Sequence, residues 1–150
     1  MSIREEIAEN IVDTLKAYKL RPTSKVKLGM ITREPINVEE VSRESFPVIF
    51  VESSSEERED GTMGAANITR FASIEYILDV YLHGNQNRDN RRNTLIDLIE
   101  TALDEDRTRG EHADDTELLE VEVINLDDSA PYALARLTFR VRYCYKRGNS

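Results

Sequence analysis

Two stretches of two-residue alternation fix the kind of fold open to this chain. In residues 70–82, Ala72, Ile74, Tyr76, Leu78, Val80 and Leu82 fall on one side of an extended chain. Phe71, Ser73, Glu75, Ile77, Asp79 and Tyr81 fall on the other. In residues 133–145, Ala133, Ala135, Leu137, Phe139, Val141, Tyr143 and Tyr145 share one side, with Leu134, Arg136, Thr138, Arg140, Arg142 and Cys144 opposite and Lys146 following. Strands this long with one apolar face must pair into a sheet that something apolar covers.

Two helices supply the cover. Ser2 followed by Glu5 has capping-box spacing, and Ile3, Ile7, Ile11 and Leu15 then recur every four residues beside Ala8 and Val12, which predicts a helix over 3–18. Between the long strands, Leu95, Leu98, Ile99 and Ala102 with Ile96 and Leu103 form a second apolar face. Asp89 or Asn90 is its candidate cap, and its end falls near Leu103 because Asp104, Glu105 and Asp106 oppose a helix dipole at its negative end.

The remaining strands are shorter. Val26, Leu28 and Met30 alternate with Lys27 and Gly29, and residues 37–42 read as one helical turn or a loop. Residues 46–51, FPVIFV, form an apolar run whose Pro47 places the strand start there or puts the strand at an edge. Residues 53–67, SSSEEREDGTMGAAN, read as a long polar hairpin loop, and Glu56, Glu57, Arg58, Glu59 and Asp60 are its candidate partner-contacting residues. Leu119, Val121 and Val123 alternate with Glu120 and Glu122 before a turn at Asp127-Asp128-Ser129. The sum is a single α+β domain over 1–150, an antiparallel or mixed sheet packed by two amphipathic helices.

Little in the chain is built for chemistry. The single cysteine, Cys144, allows no intrachain disulfide and fits a reducing compartment. His83 and His112 read as exposed loop residues without ligand-spaced companions, and the acid pairs Asp104/Asp106, Asp114/Asp115 and Asp127/Asp128 lack a calcium-loop pattern. No phosphate loop, GxSxG elbow or HExxH occurs. The expectation is no enzyme, no catalytic residue, no metal and no cofactor. With 29 acidic against 20 basic residues and a net charge of −9, the chain is poorly suited to gripping nucleic acid or an anionic membrane. Neither a signal-peptide core nor a run of about 20 apolar residues appears, so a soluble protein is expected. The charged residues Glu75, Asp79, Glu120, Glu122, Arg136, Arg140 and Arg142 lie on the polar faces of the strands. They either pair within the chain, with Glu120 and Glu122 opposite Arg140 and Arg142, or form a subunit-interface or channel-facing surface.

The order of elements resembles a known family. An opening amphipathic helix, then FPVIFVE, FASIEYILDVYLHG, the helix TLIDLIETAL and a closing SAPYALARLTFRVRY are similar to the tail terminator, or tail completion, proteins of long-tailed bacteriophages, the minor tail protein U type. The likeness covers most of residues 3–145, leaving out residues 21–45 and the loop after Glu52, and rests on no invariant motif. It implies a structural virion protein of the tail or neck, assembled in the host cytoplasm. Such a protein forms a six-membered ring that caps the tail tube, stops its growth and docks the head or neck. The partners implied are the tail tube protein, a head–tail connector or neck protein, and DNA that passes through without specific binding. Two other classes fit the same residues: a neck connector or tube protein of the same particle, and a small acidic binding or adaptor protein of a cell.

Overall fold

The computed structural model describes residues 2–19, 28–35, 37–60, 69–84, 88–124 and 132–146. Helix α1 (Ile3–Lys19) turns Ile7, Ala8, Ile11, Val12 and Leu15 inward. Its start is capped as the spacing predicts: the Glu5 N–H donates to Ser2 Oγ at 3.3 Å. Strand β1 (Ile31–Thr32) follows, then two short 3-10 turns, Val38–Glu40 and Arg43–Ser45. After a cis bond at Phe46-Pro47 come β2 (Val48–Asp60) and β3 (Thr69–His83). Helix α2 (Arg88–Asp104), β4 (Asp115–Ile124) and β5 (Tyr132–Lys146) complete the chain.

The five strands form one sheet in the order β1-β2-β3-β5-β4. All neighbours are antiparallel except β1 and β2, where Ile31 lies beside Ile49 and Thr32 beside Phe50 in parallel. The sheet is therefore mixed and the fold α+β. Both helices cover one face and touch each other, α1 over β1 and β2, α2 over β5 and β4. The alternation in the two long strands sets this face: Ala72 through Leu82 on β3 and Ala133 through Tyr145 on β5 are buried at every second position.

The expected strand over Val26 to Met30 is displaced. Residues 20–27 are not described, and Leu28 to Met30 are not part of a ladder; pairing begins at Ile31. Gly29 explains the shift. Its N–H donates to the Pro47 carbonyl at 2.9 Å and the Met30 N–H to that of Ser45 at 2.8 Å, a backbone approach that leaves no room for a side chain.

The larger correction concerns residues 53–60, expected as a loop. They are the second half of β2, paired along β3 from Glu56 beside Ile74 to Asp60 beside Arg70. A run of serines and acids carries no apolar period of its own, yet β3 extends as a template and the polar segment zips onto it. Between Ser53 and Glu56 the register slips at a bulge. The extra residue reverses which side chains face the helices, so Glu56 and Arg58 turn inward opposite Ile74 and Ala72, while Glu57 shares the outer side of Ser73. The hairpin connection, 61–68, lies outside the described residues, as does the turn at Asp127-Asp128-Ser129.

Helix α2 starts at Arg88, so Asp89 and Asn90 lie inside its first turn rather than capping it, and Asp89 pairs with Arg92 at 3.0 Å. The other end holds a residue that composition conceals. Arg109 has no exposed surface, and its guanidinium donates to the carbonyls of Leu103 and Asp106 where α2 runs out. A cation there complements the negative end of the helix.

Candidate functional site: a charged sheet face and an open edge strand

The face of the sheet away from the helices is built from the polar positions of four strands. Register sets them in transverse rows: Phe50, Asp79, Arg136, Glu122; then Glu52, Ile77, Thr138, Glu120; then Glu57, Ser73, Arg142, Asp115. Between the last two, Glu75, Arg140 and Glu117 form another. All seven charged residues singled out in the sequence, Glu75, Asp79, Glu120, Glu122, Arg136, Arg140 and Arg142, therefore share this one face.

Their pairings differ from the expected ones. Leu119 is an extra residue at a bulge between Leu118 and Glu120, which carries Glu122 opposite Arg136 and Glu120 opposite Thr138. Arg140 donates instead to Glu117, and Arg142 approaches the same carboxylate at 3.7 Å. Arg136 makes the best-formed pair: its Nε and Nη2 reach the two oxygens of Asp79 at 2.8 and 3.2 Å. Asp79 is only 5% exposed, so this fork replaces water it has lost. Its carboxylate, and the nearby charge of Glu122, hold the Arg136 pKa above its ordinary value. At the rim Arg107 clasps Asp115 at 2.6 and 3.1 Å, keeping that carboxyl below the usual carboxylate range. The lower end of the face dips into a groove of about 630 Å³ lined by Glu57, Phe71, Ser73, Asp115, Arg140 and Arg142.

The residues assigned to a partner-contacting loop divide by the bulge in β2. Glu57 joins the open face. Glu56 belongs to an inner polar cluster: Tyr143 Oη donates to one carboxylate oxygen, while Arg58 at 3.2 Å and Arg4 at 3.3 Å reach the other. Arg58 also donates to Tyr145 Oη at 2.8 Å and lies over that ring, and Tyr76 Oη donates to the Arg4 carbonyl at 3.0 Å. Arg58 is thus half-buried structure, and for Glu59 and Asp60 the strand pairing replaces the loop reading.

Burial pushes the phenols of Tyr76 and Tyr143 far above their ordinary range, and for Tyr143 the hydrogen bond to Glu56 adds to it. A folded-state pKa above the unfolded value contributes stability that is complete below the unfolded pKa, about 10, and is lost as pH rises beyond it. The urea midpoint should hold from pH 8 to about 10 and then fall, each tyrosine adding a slope of up to about 1.4 kcal/mol per pH unit. In Tyr143→Phe the fall above pH 10 should be shallower; an unchanged slope would show that Tyr143 does not carry it.

Edge strand β4 is the second element of the site. Val121 and Val123 lie opposite Leu137 and Ala135, on the helix side of the sheet, yet they are 40% and 44% exposed, with Leu119 at 42%. The apolar row continues past the rim of the helix layer. Its outer edge has no neighbouring strand among the described residues, leaving backbone N–H and C=O groups open.

For chemistry the inventory is short. Among the described residues no three His, Cys, Asp or Glu are grouped to hold a metal ion. Asp106 accepts from Thr108 and Gly110, and His112 lies 3.2 Å from Glu6. His83 is not in a loop: it ends β3 and packs between the rings of Phe46 and Tyr132, 5.5 Å from each. Cys144 is exposed on the open face across from Phe71. No helix among the described residues is long and apolar enough to cross a membrane. Compared with known proteins, the chain matches no family model, and no curated protein matches it significantly.

Proposed function

We propose that this chain is a structural virion protein, a tail terminator of a long-tailed bacteriophage. Six copies form a ring on the end of the tail tube, stop its polymerisation and present a docking surface to the head or neck connector. DNA passes through the ring without being gripped, and the net charge of −9 suits a lining along which a polyanion slides. The observation that carries the reading is the asymmetry of the sheet. One face is covered by helices, the other is ruled with charged rows, and the ten-residue edge strand β4, paired with β5 on its inner side, has no strand on its outer side among the described residues while showing Leu119, Val121 and Val123 to solvent. A subunit designed to stand alone blunts such an edge, whereas a subunit of a ring completes it with a neighbour. The order of elements that resembles the tail terminators supports the same reading.

The test is absolute mass by light scattering across concentration and salt, with negative-stain images. The expected result is one closed species of about six copies that does not grow, formed by the protein alone or on added tail tubes. Open filaments would transfer the chain to the tube proteins. A monomer or dimer that ignores tail tubes at every concentration would make it an adaptor or binding protein of a cell.

A further inference from the structure

The open side of β4 has a defined chemistry. Past the bulge at Leu119, Glu120 and Glu122 stand on the open face of the sheet and Val121 and Val123 on the helix face, and all four are exposed. Within the sheet neither carboxylate meets a free cation. Thr138 lies across from Glu120, and the guanidinium across from Glu122, that of Arg136, is already forked onto Asp79. The first half of β4 differs, for Arg107 clasps Asp115 and Arg140 donates to Glu117. Unmatched negative charge and uncovered apolar surface therefore coincide on residues 119–123. They do so on the side where the backbone of β4 faces no strand among the described residues.

The period of a strand decides what can lie there. A segment paired along residues 119–123 sets every second side chain beside Glu120 and Glu122, and the others beside Val121 and Val123. Cations in the first set and branched apolar residues in the second satisfy both rows at once, whereas acids in the first set bring like charges together.

The described strand edges of a second copy lack that pattern. β4 itself would set Glu120 and Glu122 against their own kind. The outer side of β2 beyond Phe50 carries Glu52, Glu56 and Glu57 with Arg58 as a single cation, and β1 is only Ile31–Thr32. The terminator reading, on which this inference rests, calls for contact with other proteins of the tail and neck. We infer that the neighbour completing β4 is such a different protein and not a second copy. It adds a strand in which Lys or Arg alternates with Val or Ile, bonded to the β4 backbone along residues 119–123. Main-chain bonds supply the attachment, and the two carboxylates select the partner.

The probes are three labelled peptides, KVKVKVK, its block isomer KKKKVVV, and EVEVEVE, read by fluorescence anisotropy against the whole chain and against E120K/E122K, with circular dichroism as the check on folding. The wild type should bind KVKVKVK about tenfold more tightly than the block isomer and should not bind EVEVEVE. E120K/E122K should exchange that preference and take EVEVEVE. Amide hydrogen exchange should slow at alternate residues of 119–123 when KVKVKVK is bound to the wild type. Equal binding of the two Lys peptides, which marks attraction by net charge alone, overturns the inference, as does protection that falls elsewhere or a variant that keeps the wild-type preference. Should E120K/E122K not fold, E120Q/E122Q takes its place, with loss of the preference for KVKVKVK expected. Absolute mass separates this inference from the reading beneath it. A wild-type ring that falls to the 17.2 kDa monomer in the charge variant shows a second copy on β4, which overturns the inference and leaves the ring standing. A wild type that closes no ring, alone or on tail tubes, overturns the terminator reading, and the peptides still decide what β4 accepts.

Discussion

Replacing Phe139 by alanine should lower the unfolding free energy by about 3 to 5 kcal/mol, seen as a reduced urea midpoint with an unchanged slope. Phe139 has no exposed surface and sits mid-strand on β5, between Tyr76 on β3 and Leu118 on β4. Both neighbours are held by their own ladders and cannot close over the space a phenyl ring leaves, so the cavity term adds to the lost transfer free energy. The loss is a large share of the roughly 5 to 15 kcal/mol that separates a folded domain from its unfolded chain. A cost under about 1 kcal/mol would mean that the helix layer is loose enough to collapse onto the gap.

Gly29→Ala should cost about 3 kcal/mol by a different route. The added Cβ would stand 2.0 Å from the Ser45 carbonyl oxygen and 2.5 Å from that of Pro47, both backbone atoms with no rotamer to relieve them. The chain must then move away from β2, breaking the hydrogen bonds of Gly29 and Met30 and exposing Leu28 and Ile31. Amide hydrogen exchange separates the two ways of failing. Faster exchange confined to Gly29, Met30 and Ile49 marks detachment of the β1 segment, while a uniform rise marks global destabilisation. Wild-type exchange and stability would show that the close approach is not made.

The residues that predict β3 and β5 do so because both strands repeat every two residues over their whole length, and the helix face follows from nothing else. What the sequence conceals is relational. The polar half of β2 belongs to the sheet because β3 holds it there, and no property of SSSEERED announces that. The parallel placement of β1 depends on a glycine meeting two carbonyls 16 and 18 residues away, Ser45 and Pro47. The burial of Arg109 depends on where α2 runs out of partners for its last carbonyls. On the candidate site, membership of the charged face was legible from parity alone. The pairings were not, because one inserted residue, Leu119, displaces every partner beyond it.

That same counting gives the bulge in β2 a meaning for how this gene can change. Side-chain parity beyond Ser53 is set by the number of residues between it and Glu56, not by their identity. Losing one serine codon from 53–55 would leave a single residue between Ser53 and Glu56, the spacing of an unbroken ladder, so the bulge would close with Glu56 and Arg58 still beneath the helices. Losing two would set Glu56 beside Glu75 on the outer side and carry Glu57 inward, exchanging a satisfied polar cluster for a buried, unmatched acid. Along this stretch, substitutions among small polar residues are interchangeable spellings, while the strand has one residue to spare and not two.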